Sequence, residues 1–295
     1  MESEASALNG LGLNYGRMGE YGNAMAYLEQ ALVIESKGGD DRKRMTYCAM
    51  GDVLVAQKGR EKEAILMYQK KGLLEEGNDS DALVQAFLKL GVAYTNIEAW
   101  DDAIASLEEG ISITESIEDE RLGNQLKAAG KQCLGNAYSN KYESLPERND
   151  VLIRKALFWS EAAFNILNSS ECVNLALFLD LAQEHYFLGD SEKAHAALKI
   201  YLDGTVRLEP SCCQECNQTC VKDAHMDKCS VCKVARYCSQ AHSIKAWKKG
   251  RLCHMVTCPL LKRWRKITEG KGITAELCDE LFNDFFEHAF ASKPK

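Results

Sequence analysis

The chain has 295 residues, 46% of them hydrophobic and 27% charged, with a net charge of −7. That balance supports a buried core and excludes wholesale disorder, and the length allows one large or two ordinary domains. No apolar run approaches the ~18 residues a bilayer crossing needs. The opening Met1-Glu2-Ser3-Glu4 lacks the basic and apolar regions of a signal peptide, so the expectation is a cytoplasmic or nuclear protein with no membrane partner.

Along the first two hundred residues a small residue recurs in helical context at Gly12, Gly51, Gly91, Gly135 and Ala182. The successive steps are 39, 40, 44 and 47 residues. The first unit reads Leu11-Gly12, Tyr15, Gly19, Ala24, Leu28 and Ala31. The third repeats it with Leu90-Gly91, Tyr94, Ala103, Leu107 and Gly110, and the fifth with Leu181-Ala182, Gly189, Ala194 and Leu198. In the second, Gly51, Leu54, Ala64 and Tyr68 keep the offsets with one extra residue in the turn. In the fourth, Leu134-Gly135 and Tyr138 are parted from Ala156 by an insertion holding Pro146. The physical content of these offsets is packing. A residue without bulk on one helix lets the next approach closely, an alanine faces it, and larger side chains fill the space beside the contact. One such pair cannot bury both of its faces, so the units must stack in series.

Over residues 5–205 these motifs resemble tetratricopeptide repeats, with longer spacing than the usual ~34 residues. The resemblance implies a mostly α fold, an α-solenoid of about five helix pairs spanning residues 1–207. It also implies a concave groove lined by four positions of each first helix. Carried across, these are Ser6, Asn9, Leu13 and Gly16; Met45, Cys48, Asp52 and Val55; Gln85, Leu88, Val92 and Thr95; Ala129, Gln132, Asn136 and Ser139; and Ala176, Leu179, Gln183 and Tyr186. None is lysine or arginine, and Lys89 alone lies nearby. A groove that grips a terminal carboxylate needs several charge-assisted donors, which excludes that ligand class. The amides of Asn9, Gln85, Gln132, Asn136 and Gln183 suit hydrogen bonds to a peptide backbone, and the leucines and valine suit apolar side chains.

Nine of the thirteen cysteines lie between Cys212 and Cys258. From Cys212 to Lys266 there are twelve Lys and Arg against three Asp and Glu, which leaves 24 cations and 40 anions elsewhere. A small basic module therefore sits beside an acidic body. Its ligand-type residues fall in four pairs, Cys213-x2-Cys216, Cys229-x2-Cys232, Cys238-x3-His242 and His254-x3-Cys258. A C-x2-C turn offers two thiolates on one loop, and the i,i+4 spacing of the last two pairs puts both donors on one helix face. Six cysteines and two histidines divide into two Cys3His sites, each of formal charge −1. A disulfide framework is the competing use, but without secretion these spacings favour metal. The string from Cys213 to Cys258, with Arg236-Tyr237-Cys238-Ser239 and Trp247, resembles the MYND zinc finger (residues 208–261).

The resemblance implies two structural zinc ions on interleaved pairs: Cys213, Cys216, Cys238 and His242 for one, Cys229, Cys232, His254 and Cys258 for the other. His242 stands at a place usually held by cysteine. The insertion Gly250-Arg251-Leu252-Cys253 makes Cys253 an alternative to His254. Many such fingers hold proline-containing peptides, and the matching surface is Tyr237, Ser239, Ser243 and Trp247, although Ser243 replaces a frequent glutamine and Trp247 serves equally well as the finger's small core.

The tail, residues 262–295, carries Leu277, Leu281, Phe282, Phe285 and Ala289 at helical spacing, either to dock on the repeat stack or to bind a partner. The whole reads as a non-catalytic adaptor for partner proteins or peptides. Two alternatives rank lower. Lys245, Lys248, Lys249, Arg251, Lys262, Arg263, Arg265 and Lys266, with Trp247 and Trp264 among them, would suit nucleic acid, whose affinity falls steeply with salt. Net charge speaks to attraction rather than recognition, however, and no base-reading pattern accompanies it. A methyltransferase of the kind that embeds such a finger would need a glycine-rich cofactor motif and an Asn-His-Ser-Cys type element, neither of which flanks the window.

Overall fold

The computed structural model describes residues 2–36, 43–57, 59–72, 80–169, 175–207, 227–230, 236–237, 254–269 and 275–290. Ten helices run in succession: α1 (Glu2–Arg17), α2 (Tyr21–Glu35), α3 (Lys43–Ala56), α4 (Glu61–Gly72), α5 (Ser80–Asn96), α6 (Trp100–Ile113), α7 (Glu120–Ser144), α8 (Asp150–Ser169), α9 (Leu175–Phe187) and α10 (Ser191–Arg207). They pack as five consecutive antiparallel pairs, one for each repeat unit in the sequence. A 3₁₀ turn, Thr114–Ser116, leads into α7. Further on, β1 (Asp227–Lys228) pairs antiparallel with β2 (Arg236–Tyr237), and two more helices follow, α11 (His254–Glu269) and α12 (Ala275–Phe290). Helix α11 is continuous across position 261, so the finger-to-tail boundary expected there falls inside a helix.

The glycine register explains the close helix pairs. A Cβ at Gly12 would lie 2.6 Å from Leu28 Cγ, one at Gly51 2.4 Å from the Tyr68 ring, and one at Gly91 2.4 Å from Leu107 Cγ. At Gly135 the neighbour is Ser160 Oγ at 2.6 Å. The glycine thus admits a side chain from the partner helix, a large one in the first three pairs, and not mainly the facing alanine. That alanine is nonetheless fully buried in every pair, at Ala24, Ala64, Ala103, Ala156 and Ala194. Leu28, Leu107 and Leu198 are fully buried one turn later, each contributing about 1.5–3 kcal/mol. The insertion in the fourth unit is absorbed mostly as helix, with Pro146 in the short connection. Helices α7 and α8 run to 25 and 20 residues, and only residues 145–149 join them.

The turns of the first, third and fifth pairs share one hydrogen-bond geometry. Within the turn after the first helix a glycine is left-handed at Gly19 (φ +82°), Gly59 (+82°) and Gly189 (+77°), a conformation glycine adopts without steric cost. In the third pair the same place holds Glu98 at φ +61°, where a side chain is strained. Its hydrogen bonds, Glu98 N–H to Thr95 O and Ala99 N–H to Tyr94 O, match those at Gly189, so the turn is retained against the residue's own preference.

By internal packing the chain forms two compact units, residues 1–173 and 174–295, so the fifth pair groups with the C-terminal helices. In the first unit α1 packs on α3, α3 on α5 and α5 on α7, placing the first helices side by side as a solenoid requires. In the second, α11 and α12 pack on α10. Trp264 of α11 is fully buried and donates its indole N–H to Asp203 of α10 at 3.2 Å. Leu281, Phe282, Phe285 and Phe286 of α12 are buried, so the tail docks within its own unit.

Candidate functional sites

In the first unit the leading groove position of each first helix is exposed: Ser6 on α1, Met45 on α3, Gln85 on α5 and Ala129 on α7. Met45 is 71% exposed and Val92, two rows along, 40%. The second row turns inward, with Asn9, Cys48 and Leu88 buried, and Gln132 and Asn136 are half-buried. Side chains that the repeat offsets place on the groove therefore divide between exposure to solvent and packing of one pair on the next.

Asn9 belongs to the packing group. Its amide donates to Glu35 Oε1 at 3.3 Å, and its carbonyl oxygen lies 2.9 Å from Thr46 Oγ1, which also lies 2.6 Å from Glu35 Oε2. All three residues are buried and they join α1, α2 and α3. The backbone-binding role expected for Asn9 is replaced by a structural one, because its polar atoms are spent inside. Sequence spacing did carry a signal, since Glu35 continues the buried stripe of Ala24, Leu28 and Ala31 and so needs polar partners there. Gln183 on α9 is likewise buried, at 9% exposure.

Lys89, next to the groove position Leu88, is paired. Its Nζ lies 2.6 Å from Asp52 Oδ2, while the Tyr68 hydroxyl donates to Asp52 Oδ1 at 2.8 Å. Burial first, and the Asp52 charge second, push the Tyr68 hydroxyl far above its usual range, which keeps it a donor. Asp52 thus neutralises Lys89 and joins α3, α4 and α5.

In the second unit the β ribbon sets Asp227 opposite Tyr237 and Lys228 opposite Arg236, and Cys229 follows directly. Cys229 Sγ lies 3.7 Å from the buried Cys258 Sγ. The distance is far beyond a disulfide bond. Among the described residues no cluster of three metal-ligating side chains occurs. Of the other predicted ligands, His254 opens α11, while Cys213, Cys216, Cys232, Cys238 and His242 lie outside the described residues, as do Ser239, Ser243 and Trp247. Tyr237 is placed by its backbone in β2.

Two members of the basic stretch are occupied. Trp264 is buried, and so offers no face for a base to stack on, and Arg263 pairs with Asp284 at 3.0 Å. Among the described residues no helix is long and apolar enough to cross a membrane.

The pattern of the tetratricopeptide repeat family matches residues 3–70, the first two helix pairs. Among solved structures, the TPR-like repeats of a candidate kinesin light chain of Podosopora anserina superpose with a TM-score of 0.54 at 17% identity, covering 70% of this chain and 97% of that one. BtubC (BKLC) from P. vanneervenii gives 0.60 at 16% identity, covering 77% and 89%. No curated protein sequence matches the chain. Identities this low establish architecture alone, and the architecture is a TPR-like stack of helix pairs.

Proposed function

We propose that the protein is a non-catalytic adaptor whose helix pairs hold an extended partner peptide and whose cysteine-rich segment is a MYND-type finger with two structural zinc ions. The carrying observation is the exposed leading position of α1, α3, α5 and α7, with Met45 and the carboxamide of Gln85 in that row and exposed Val92 two turns along α5 from Gln85. Apolar side chains flanked by uncharged amides suit a peptide whose backbone is hydrogen-bonded and whose side chains are apolar. With Lys89 neutralised by Asp52, the row favours an uncharged segment, such as the proline-containing peptides the finger is expected to take.

Zinc fits the residues present. Two thiolates bound to one ion at Zn–S distances of ~2.3 Å in a tetrahedron lie about 3.8 Å apart, close to the 3.7 Å between Cys229 and Cys258. His254 and Cys258 are one turn apart on α11, the spacing two ligands of one ion need. With Cys232 they would complete one Cys3His site, and Cys213, Cys216, Cys238 and His242 the other. Zinc held so contributes folding energy, because the site exists only in the folded chain, and its four filled positions leave no place for a reacting water. The nucleic-acid reading is weakened by the buried Trp264 and the paired Arg263, and nothing favours a methyltransferase.

Peptide-library selection on the intact chain tests the groove. Selected peptides should lose at least tenfold in affinity in the M45E/V92E variant, and equal binding by that variant would remove the assignment. Metal analysis by inductively coupled plasma should return two zinc per chain, and one or none would refute the ligand pairing.

A further inference from the structure

The groove row and the finger leave α12 unexplained, and its contacts are those of a bound ligand. One face carries Phe282 and Phe286, an i,i+4 aromatic pair. Phe286 stacks on Tyr186 at the end of α9, with centroids 4.6 Å apart and 7° between planes. Phe282 packs on Trp264 at 5.5 Å and meets the His195 ring of α10 edge-on at 5.3 Å, and His195 also stacks on Phe286 at 6.1 Å. The polar edge of α12 is fastened too. Asp279 Oδ1 and Asn283 Oδ1, one turn apart, each lie 3.1 Å from a different ring nitrogen of His195, and Asp284 accepts from Arg263. Tyr186 is itself a groove position of the fifth first helix, so α12 covers part of a surface that the repeat architecture uses for recognition. Asp279, Glu280, Asp284 and Glu287 stay exposed, which gives the helix one acidic and one aromatic face.

From this geometry we infer that the surface made by Tyr186, His195, Arg263 and Trp264 is a docking site for an acidic amphipathic helix with aromatic residues at i and i+4 and a carboxylate three residues before the first. Helix α12 is its resident occupant in cis, and a partner helix of the same chemistry displaces it. The inference rests on reading the helix pairs as protein-binding surfaces and names the partner class of the fifth pair. Only residues 270–274 join α11 to α12, so the resident helix competes at an effective concentration on the order of millimolar. A helix in trans is therefore outcompeted until the resident one is weakened.

The test uses the full-length chain and a fluorescent peptide of the sequence of residues 275–290. Fluorescence anisotropy should show weak binding to the unmodified chain and at least tenfold tighter binding to the F282A/F286A variant. Adding H195A to that variant should abolish the gain. Should the aromatic variant fail to fold, a second form lengthens the linker at 270–274 by about twenty Gly/Ser residues with every contacting side chain intact. Its lower effective concentration should improve peptide affinity by up to about tenfold. Binding that stays equally weak in both folded variants, or that ignores H195A, overturns the inference and leaves α12 as a fixed cap. Library peptides held along Met45 and Val92 should bind these variants unchanged, so failure of the α12 site and failure of the groove are separately visible.

Discussion

Substituting Gly91 by alanine sets a methyl carbon 2.4 Å from Leu107 Cγ and 2.7 Å from its Cδ2, where carbon atoms rest about 3.5–4.0 Å apart. Leu107 is fully buried and cannot swing to solvent, so α5 and α6 must separate by roughly 1 Å or Leu107 must leave its rotamer. Overpacking of this kind costs about 1–3 kcal/mol, from which a helix-propensity gain of about 1 kcal/mol is subtracted. The expected net destabilisation is about 0–2 kcal/mol. Gly10, also within a helix but with nothing within 4 Å of its would-be Cβ, is the control, and G10A should stabilise by roughly 0.5–1 kcal/mol. The cycle with Leu107 isolates the contact. L107A alone should cost about 2–5 kcal/mol by cavity formation, and in the double variant the new methyl finds room. G91A/L107A should therefore be less destabilised than the sum of the singles by at least about 1 kcal/mol. Urea unfolding followed by circular dichroism reads all four proteins. If G91A and G10A shift stability alike, or if the singles add to within ~0.5 kcal/mol, the glycine register does not set the helix approach.

Four further outcomes follow from other sites. E98G relieves the left-handed strain at φ +61° and should raise stability by about 0.5–1 kcal/mol in the same unfolding assay, whereas Gly189→Ala at φ +77° should lower it. T46V removes the hydroxyl shared by Glu35 and Asn9 and should cost about 1–3 kcal/mol, with Thr46→Ser largely restoring the wild-type midpoint. Asp190 caps α10, and the Lys193 backbone N–H, followed by the Lys193 side chain, holds its carboxyl below the usual range. A lowered folded-state value means its stabilisation is present above the ordinary aspartate range and is lost as pH falls through the folded value. The thermal midpoint of D190N should therefore trail that of wild type at neutral pH and converge with it on acidification. C229S should reduce zinc from two ions to one per chain by metal analysis, and an unchanged content would show that Cys229 is not a ligand.

The helix pairs were readable from spacing because the glycine and alanine offsets express a local requirement, the close approach of two helices adjacent in the chain. Each of the five units became a pair in register. The groove positions were read less well. Asn9 and Gln183 have the residue type of a peptide-binding amide, but their burial depends on neighbours far along the chain: Asn9 is tied to Glu35, 26 residues away, and to Thr46, 37 away. The aromatic spacing of the tail announced an amphipathic helix without naming its partner.

Periodicity along the chain decides which residues share a helix face, and the cysteine and histidine spacings decide which donors share a turn; both are local relations that a linear sequence carries directly. Whether a polar side chain at such a position meets solvent or another buried group depends on how successive pairs stack, because that is set by the combined shape of many side chains. The joining of Asn9, Glu35 and Thr46, the neutralising of Lys89 by Asp52, and the seating of α12 on Tyr186, His195 and Trp264 were therefore settled by tertiary packing alone.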